Sequence, residues 1–419
     1  MSRINDLIKE LCPAGVEYKK LKEIGDTFTG LSGKSKDDFS NGNCRYITYT
    51  NIFNNPAVRL DLDDRVLIKD NEKQNNLKYG DILVAGSSEN IEDSGMIAVV
   101  CEEPTENIYL NSFCFGFRLN DNYTQKLIPG FSKHIFRSAN FRSQILSCSF
   151  GVTRYNLNKK MFLELTIPIP PLEVQEEIVR ILDKFGELEA ELEAELEARR
   201  SQYEFWRGKL YSKDYDKMVD LDTIGDVTKL AGFEFTNYVN YSDEGSIIAL
   251  RGLNVKNGKL ILNDVKYIDS SDFSKLSRSK LFKNDILYTY VGTVGQVGLI
   301  DIDDKYYLAP NVARIRITDE RVIPKYVMYF LLTNEFKRTQ LDGLSGTSSM
   351  KNITMSNIRK FKIPVPSIEE QKRIVNILDK FDKLVNDISE GLPAEIEARR
   401  KQYEYYRNKL LSFEEVLCE

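Results

Sequence analysis

Pro168-Ile169-Pro170-Pro171-Leu172-Glu173-Val174-Gln175-Glu176-Glu177-Ile178-Val179-Arg180-Ile181-Leu182-Asp183-Lys184-Phe185 recurs 196 positions later as Pro364-Val365-Pro366-Ser367-Ile368-Glu369-Glu370-Gln371-Lys372-Arg373-Ile374-Val375-Asn376-Ile377-Leu378-Asp379-Lys380-Phe381. Such self-similarity marks a duplicated architecture. Both copies read as helices. In the first, apolar residues fall at Ile178, Ile181, Leu182, Phe185, Leu188, Leu192, Leu196, Tyr203, Trp206 and Leu210, mostly three or four apart. The second repeats the stripe through Ile374, Ile377, Leu378, Phe381, Leu384, Val385, Ile388, Leu392, Ile396, Tyr403, Tyr406 and Leu410. Prolines precede each copy, as suits a helix start. A continuous helix over 172–210 would span roughly 58 Å, whereas Gly391-Leu392-Pro393 should break or kink the second one. A narrow stripe needs a partner, and the nearest is the other copy.

Outward from this core the repeat continues. Glu197-Ala198-Arg199-Arg200-Ser201-Gln202-Tyr203-Glu204 returns 200 positions later as Glu397-Ala398-Arg399-Arg400-Lys401-Gln402-Tyr403-Glu404. Within the first helix, Glu-Leu-Glu-Ala stands three times in tandem over 187–198. Each such unit adds about 6 Å of rise and about 40° of rotation to a helix, which is the character of a spacer of variable copy number. Upstream, Leu21-Lys22-Glu23-Ile24-Gly25-Asp26 matches Leu221-Asp222-Thr223-Ile224-Gly225-Asp226, and Gly80-Asp81-Ile82-Leu83 matches Asn284-Asp285-Ile286-Leu287. Short β-branched and aromatic runs such as Ile82–Ala85 and Ile286–Val291, punctuated by Gly, Asn and Asp, predict mainly-β domains with some helices. The fold class expected is therefore α+β: two similar mainly-β domains with some helices, separated by two long helices, with pseudo-twofold symmetry. The boundaries expected are a first domain over 1–170, a helix over 171–211, a second domain over 212–365, a second helix over 366–412 and a tail over 413–419.

Composition narrows the chemistry. Of 419 residues 42% are hydrophobic and 29% charged, as in ordinary globular proteins, and no apolar run is long enough for a membrane span. Six cysteines without any Cys-x-x-Cys spacing read as reduced packing thiols of a cytosolic protein. A single histidine, His134, weighs against histidine-based acid–base, triad and zinc chemistry. No phosphate-cradling Gly-x-x-x-x-Gly-Lys-Ser/Thr, no dinucleotide glycine pattern and no amino-methyltransferase motif is present. Gly292-Thr293-Val294-Gly295-Gln296-Val297-Gly298 lies between strand-like runs without a following helix, which favours a tight turn over a phosphate loop. The net charge of −5 argues at face value against nucleic acid, but the acidity is concentrated in the two helical segments: 172–210 carries −5 and 367–419 carries −3, against 0 for 1–171 and +3 for 211–366. The domains are thus free to present basic surface.

This organisation resembles the specificity subunit of Type I DNA restriction–modification systems over nearly the whole chain. The resemblance rests on the twice-occurring Pro-x-Pro-x-x-x-x-Gln-x-x-Ile-Val-x-Ile-Leu-Asp-Lys-Phe and Glu-Ala-Arg-Arg-x-Gln-Tyr-Glu runs, and on Leu11-Cys12-Pro13-Ala14-Gly15-Val16-Glu17-Tyr18. It implies that each domain reads one half of a split double-stranded DNA site and that the two helices form an antiparallel coiled coil that sets the gap. It further implies a non-catalytic chain that binds no cofactor itself. Two methyltransferase subunits would bring S-adenosylmethionine, and restriction subunits, where present, would use ATP and Mg. It also implies that Gln175, Arg199, Arg200, Gln371, Arg399 and Arg400 face neighbouring subunits; the arginines could equally pair with glutamates of their own helix.

Base edges are read by Arg, Lys, Asn and Gln, while phosphates take Lys, Arg, Ser, Thr, Tyr and backbone N–H. The loop residues of that kind in the first domain are Lys34, Lys36, Tyr49, Asn51, Ser87, Ser88, Thr153, Arg154 and Tyr155. In the second they are Arg251, Asn254, Lys256, Tyr290, Thr293, Gln296, Thr347, Ser348 and Lys351. Two other readings stay open on residues alone: a self-sufficient enzyme, opposed by the missing motifs, and a non-enzymatic coiled-coil scaffold whose duplicated domains bind protein or carbohydrate.

Overall fold

The repeat motif opens one uninterrupted helix, Leu172–Tyr211, and its second copy opens another, Ile368–Asn386, followed after a break by Leu392–Leu410. The structure is a computed structural model that describes residues 2–212, 218–229, 235, 237–342, 352–387 and 389–416. The break falls where the sequence places it, and its cause is local. Asp387 Oδ1 accepts from the Ser389 hydroxyl (2.6 Å) and backbone N–H (2.8 Å), turning the chain out of the helix. A methyl group on Gly391 would lie 2.6 Å from the Lys383 carbonyl oxygen and 2.7 Å from that of Asp387, so only glycine fits against the helix end. Pro393 then sits in the first turn of the next helix, where its missing N–H costs nothing.

Two compact units result, and neither follows the simple order of domain then helix. One comprises Met1–Glu191 with Ile396–Glu419, the other Leu192–Glu395. Each unit therefore holds one β-rich domain, the start of the helix that follows it, and the end of the other helix. In the first unit Phe185 stacks on Tyr406 (5.4 Å between ring centroids) and Arg400 reaches Glu189 at 2.5 Å, so the helical segments run antiparallel. The second unit repeats the contact in mirrored order, Phe381 stacking on Tyr203 at 6.0 Å. The stripe serves more than this seam. Val174, Ile178 and Leu182 are fully buried against Phe115, Phe117 and Phe131 of the first domain, and Ile374 and Leu378 are buried with Ile286, Ile315 and Phe330 of the second.

Both domains carry the same sheets. Gly25–Thr29, Cys114–Leu119, Ile82–Ala85 and Ile97–Val99 lie side by side in that order, all antiparallel. Gly225–Lys229, Val312–Ile317, Ile286–Thr289 and Val297–Leu299 repeat the order and sense. Ile82–Ala85 and Ile286–Thr289 are buried on both faces, which is why they read as continuous runs and not as alternating ones. A smaller sheet contains a parallel pair in each domain, Cys44–Ile47 with Ile108–Leu110 and Ile248–Leu250 with Tyr306–Leu308. Tyr18–Lys20 pairs with Thr166–Pro168, and Met218–Asp220 with Lys362–Pro364, bringing each domain's entry strand beside the strand that leads into its helix.

The repeated Gly80-Asp81 and Asn284-Asp285 now have a physical meaning. Gly80 (φ 84°) and Asn284 (φ 73°) both take the left-handed conformation, which these two residue types tolerate best. The turn they make aims Asp81 and Asp285, about 1–2% exposed, at Arg118 and Arg316 in two-pronged ion pairs of 2.6–2.7 Å. Each guanidinium also lies 4.7 Å over a phenylalanine ring, Phe28 in one domain and Phe282 in the other. The five described cysteines are free thiols; burial pushes the Cys101 thiol up to about 11 and that of Cys114 to about 12, well above any reactive range.

Candidate nucleic-acid interface

Gln175 and Gln371 are not on a docking face. Both are fully buried, and each brackets its domain to its helix. Gln175 Oε1 accepts from the Ile128 N–H (3.1 Å), while its Nε2 donates to the carbonyls of Lys126 and Pro170 (2.7 Å each). Gln371 does the same with the Ile323 N–H and the carbonyls of Arg321 and Pro366, all at 2.9 Å. A buried amide that satisfies three backbone groups explains the glutamine of the repeat without any partner. Arg199 pairs within its own helix, with Glu195 at 3.3 Å and Gln202 at 3.0 Å; Arg399 bonds Gln402 at 3.2 Å. Arg400 crosses to Glu189 of the first helix, whereas Arg200 is exposed on the second unit.

About two turns beyond Gln175, His134 Nε2 meets Asp183 Oδ1 at 2.7 Å and its Nδ1 meets the Tyr403 hydroxyl at 3.1 Å, with Lys133 also on Asp183 at 2.8 Å. Burial holds the imidazole below its ordinary value, against the opposing pull of Asp183. A neutral ring that donates to Asp183 and accepts from Tyr403 satisfies both nitrogens. The second unit puts a phenol there: the Tyr329 hydroxyl donates to Asp379 at 2.6 Å, with Lys325 alongside at 2.8 Å. His134 is thus a structural histidine at the domain–helix seam.

Four of the first domain's candidates converge. Tyr49, Ser87, Ser88 and Arg154 line one cleft of about 320 Å³, together with Phe53 and Phe113. Thr48 caps the short helix Tyr49–Asn54 by accepting from the Asn51 N–H (3.3 Å), which sets Tyr49 on its first turn, stacked 6.0 Å from Phe53. The Arg154 guanidinium lies 5.6 Å over the Phe113 ring. Glu89, Asn90 and Asp93 complete the wall with acceptors and an amide. Thr153 is exposed beside Arg154, and Tyr155 is half-buried in the strand that pairs with Ser88. The other candidates have internal duties. Lys34 is committed to Glu72 (2.5 Å) and the Leu67 carbonyl (2.5 Å), and only 4% of its side chain is exposed. Asn51 is 3% exposed, its amide donating to the Arg59 carbonyl and accepting from the Arg59 N–H, so neither prong is available to a base. Lys36 remains exposed on the Lys36–Phe39 turn, outside the cleft.

The second domain shows the same division. Arg251 and Thr293 line a cleft of about 420 Å³ with Tyr241, Leu253, Thr289 and Asn311. Arg251 donates to the Asp264 side chain at 2.9 Å, and its Nε is buried with no partner among the described residues. Asn254, fully buried, occupies the place of Asn51: it donates to the carbonyls of Ile261 and Asp264 and accepts from the Arg251 N–H. Tyr290 is 8% exposed, packed under Lys229, and burial raises its phenol above the ordinary value. Gln296 is half-buried behind the cleft; its N–H donates to Thr289 Oγ1 at 2.9 Å, and its side-chain oxygen has no partner among the described residues. Lys256 is exposed on the hairpin Val255–Leu260, which turns at Asn257-Gly258 with positive φ at both residues. The glycine-rich stretch 292–298 joins the antiparallel strands Ile286–Thr289 and Val297–Leu299, a turn and not a phosphate loop. Thr347, Ser348 and Lys351 lie outside the described residues.

The two clefts occupy equivalent places. Each is walled by the turn after the first strand of the parallel pair, the loop after the central strand, and the residues before the long strand: Tyr49–Phe53, Ser87–Asp93 and Phe113 in one, Arg251–Leu253, Thr289–Thr293 and Pro310–Asn311 in the other. In this alignment Phe113 and Asn311 correspond, each three residues beyond the last paired leucine, Leu110 or Leu308. Residue type alone did not point to Phe113, Glu89, Asp93, Tyr241 or Asn311; the repeat, read position by position, could have found Asn311 from Phe113. Among the described residues no group of three or more His, Cys, Asp or Glu is placed to hold a metal, and no helix is long and apolar enough to cross a membrane.

Fold and clefts together define a duplicated binding protein, two like domains each presenting one polar, aromatic-edged cleft and each bracketed to a helix by a buried glutamine. Comparison with known proteins gives this class its family. The model of the Type I restriction modification DNA specificity domain matches twice, over residues 13–198 and 218–398, and the chain belongs to that family. It is 33% identical over 303 residues to a type I restriction enzyme specificity subunit of Haemophilus influenzae, covering 70% of this chain and 74% of that one. It is 36% identical over 258 residues to the EcoR124I/EcoR124II specificity subunit of Escherichia coli, covering 59% of this chain and 63% of that one. A chain from a solved type I restriction–modification assembly shares the fold, with a TM-score of 0.62 at 16% identity over 95% of this chain and 97% of that one.

Proposed function

We propose that each cleft reads one half of a bipartite double-stranded DNA site, and that this chain is the DNA-recognition subunit of a Type I restriction–modification complex. The observation that carries the reading is the equivalence of the clefts. Duplication has kept their position and changed their lining, as two readers of different sequences require. Tyr49, Ser87, Ser88, Thr153 and Arg154 serve the first half-site, Arg251 and Thr293 the second. Arg offers a fork to guanine, Ser and Thr reach either base edges or phosphates, and Asn311 suits adenine. Thr347, Ser348 and Lys351 belong to the same proposal on sequence alone.

The chain itself performs no catalysis in this reading. Two methyltransferase subunits supply S-adenosylmethionine and the transfer chemistry, and restriction subunits, where present, supply ATP- and Mg-dependent cleavage. The helices set the distance between the half-sites, and the ELEA stretch, helical throughout 187–198, is the adjustable element. Because B-DNA turns once per about 34–36 Å, a spacer must hold phase as well as distance. Mapping methylated bases genome-wide in cells expressing this chain with its methyltransferase tests the reading. A single two-part sequence with a fixed gap is expected; methylation indifferent to base order would overturn it. Deleting one ELEA unit should then shift the gap by about one or two base pairs, from helical rise and twist.

A further inference from the structure

The rim of the first cleft carries apolar side chains that a polar reading surface does not need. Val152 is 89% exposed, Phe113 60% and Phe150 55%. Phe150 and Val152 belong to one hairpin joined to the cleft wall: Ser149–Phe150 pairs with Tyr155–Leu157, which pairs with Ser87–Ser88. Arg154, two residues from Val152, lies over Phe113. The loop that presents Val152 is shaped in advance. Gly151 adopts φ 154°, and a methyl group there would sit 1.9 Å from the Arg154 carbonyl oxygen, so the chain closes tightly on itself and holds Val152 at the tip. Scattered exposed apolar residues are ordinary, but two on one preshaped loop, whose guanidinium covers a third, form an interaction surface.

We propose that Val152, backed by Phe150 and Phe113, is a wedge that enters the base stack of the half-site read by the first domain, partly unstacking one base step. This rests on the reading of the clefts as DNA-binding sites. The chemistry favours a base step over other occupants of the tip. An aliphatic side chain gains by leaving water for the space between base faces, the aromatic rings near it offer faces to a displaced base, Arg154 beside the tip can reach the neighbouring base edge, and Thr153 flanks it with a hydroxyl suited to an adjoining phosphate. The equivalent stretch of the second domain, Gly346-Thr347-Ser348-Ser349-Met350, has hydroxyl residues at the places of Val152 and Thr153, and Asn311 stands for Phe113. The wedge therefore acts on one half-site only, and sequence preference there includes ease of unstacking at a step that no polar group contacts.

The test uses the full chain assembled with its methyltransferase subunits and a duplex of the mapped target, with 2-aminopurine placed in turn at each position of both half-sites. Fluorescence should rise on binding at one step of one half-site and nowhere in the other, apart from the base the methyltransferase acts on, which a duplex already methylated there identifies. Val152→Ser should abolish that rise and weaken binding, whereas Val152→Leu should keep it; Val152 being solvent-exposed, thermal unfolding of both variants should match the parent chain. Arg154→Ala should relax base preference in that same half-site. A rise that survives Val152→Ser, or its absence from every position while the complex still discriminates its target, would overturn the wedge and leave the reading of the clefts standing. A complex that does not discriminate base order at all would overturn both.

Discussion

The two units differ least where domain meets helix and most where each domain meets solvent. At the seam, Gln175 and Gln371 make the same three bonds, and Asp183 and Asp379 sit on the same turn with a lysine alongside. At the clefts, Phe113 stands opposite Asn311, and Thr48, which caps the helix carrying Tyr49, is matched by Arg251. Seam residues answer to one shared geometric demand, since a buried amide must find partners for all its polar atoms or destabilise the fold. On the proposed reading, cleft residues answer to two different half-sites. Duplication can vary the second set only because the first holds the domains in place.

The comparison can be broken most severely at the glutamines. Gln175→Ala and Gln371→Ala each strand three buried backbone groups, and each should lower unfolding stability by about 3 kcal/mol in urea titrations, from the cost of unsatisfied buried polar groups. Equal losses would confirm equivalent brackets; a loss in one copy alone would show that the seams are not alike. Next in size, Arg154→Ala and Arg251→Ala should each reduce base discrimination by about 1–3 kcal/mol, each in its own half-site, measured as methylation of single-mismatch duplexes. Relaxation in both halves from either change would contradict the separation of the readers.

The single substantive difference at the seam sharpens the comparison through pH. His134 titrates below its ordinary 6.5 in the folded chain because burial disfavours the imidazolium. The unfolded imidazole therefore takes up its proton first, and the stability contribution, complete above pH 6.5, declines as pH falls below it. Asp183 stays charged through this window: burial pushes its carboxyl up, but His134 and Lys133 outweigh that and hold it below 3.8. Tyr329, whose phenol is raised by burial, gives the second unit no matching loss. His134→Tyr, which copies the second seam into the first, should remove the decline in melting temperature between about pH 6.5 and 5; persistence of the decline would place its origin elsewhere. Smallest of all, Arg199→Ala should change stability by less than about 0.5 kcal/mol, because an exposed pair within one helix contributes little. A larger change in the assembled complex than in the free chain would give Arg199 a docking role after all.

Much of this was legible from residues alone. Period-three-and-four stripes read as helices, Gly391 and Pro393 read as a break, and the shared Asp-Ile-Leu read as homologous strands, because local propensity and local sterics decide each of these. The DNA-contact candidates were legible only as a set of residue types. Tyr49 and Arg154 come together, while Asn51 and Asn254, the same type in the same kind of loop, turn inward to hold carbonyls. Nothing local distinguishes an asparagine that reads a base from one that closes a turn. The glutamines failed for the same reason in reverse: repetition shows that a residue matters, and burial alone shows to what.

The sequence by itself determined that the molecule is duplicated and where its helices run and break, since these follow from period and backbone sterics. Tertiary structure alone decided which polar groups face inward, how each unit takes the start of one helix and the end of the other, and which loops meet to form a cleft. Those outcomes depend on contacts between residues far apart in the chain, whose desolvation cost or gain is settled only when the partners are in place.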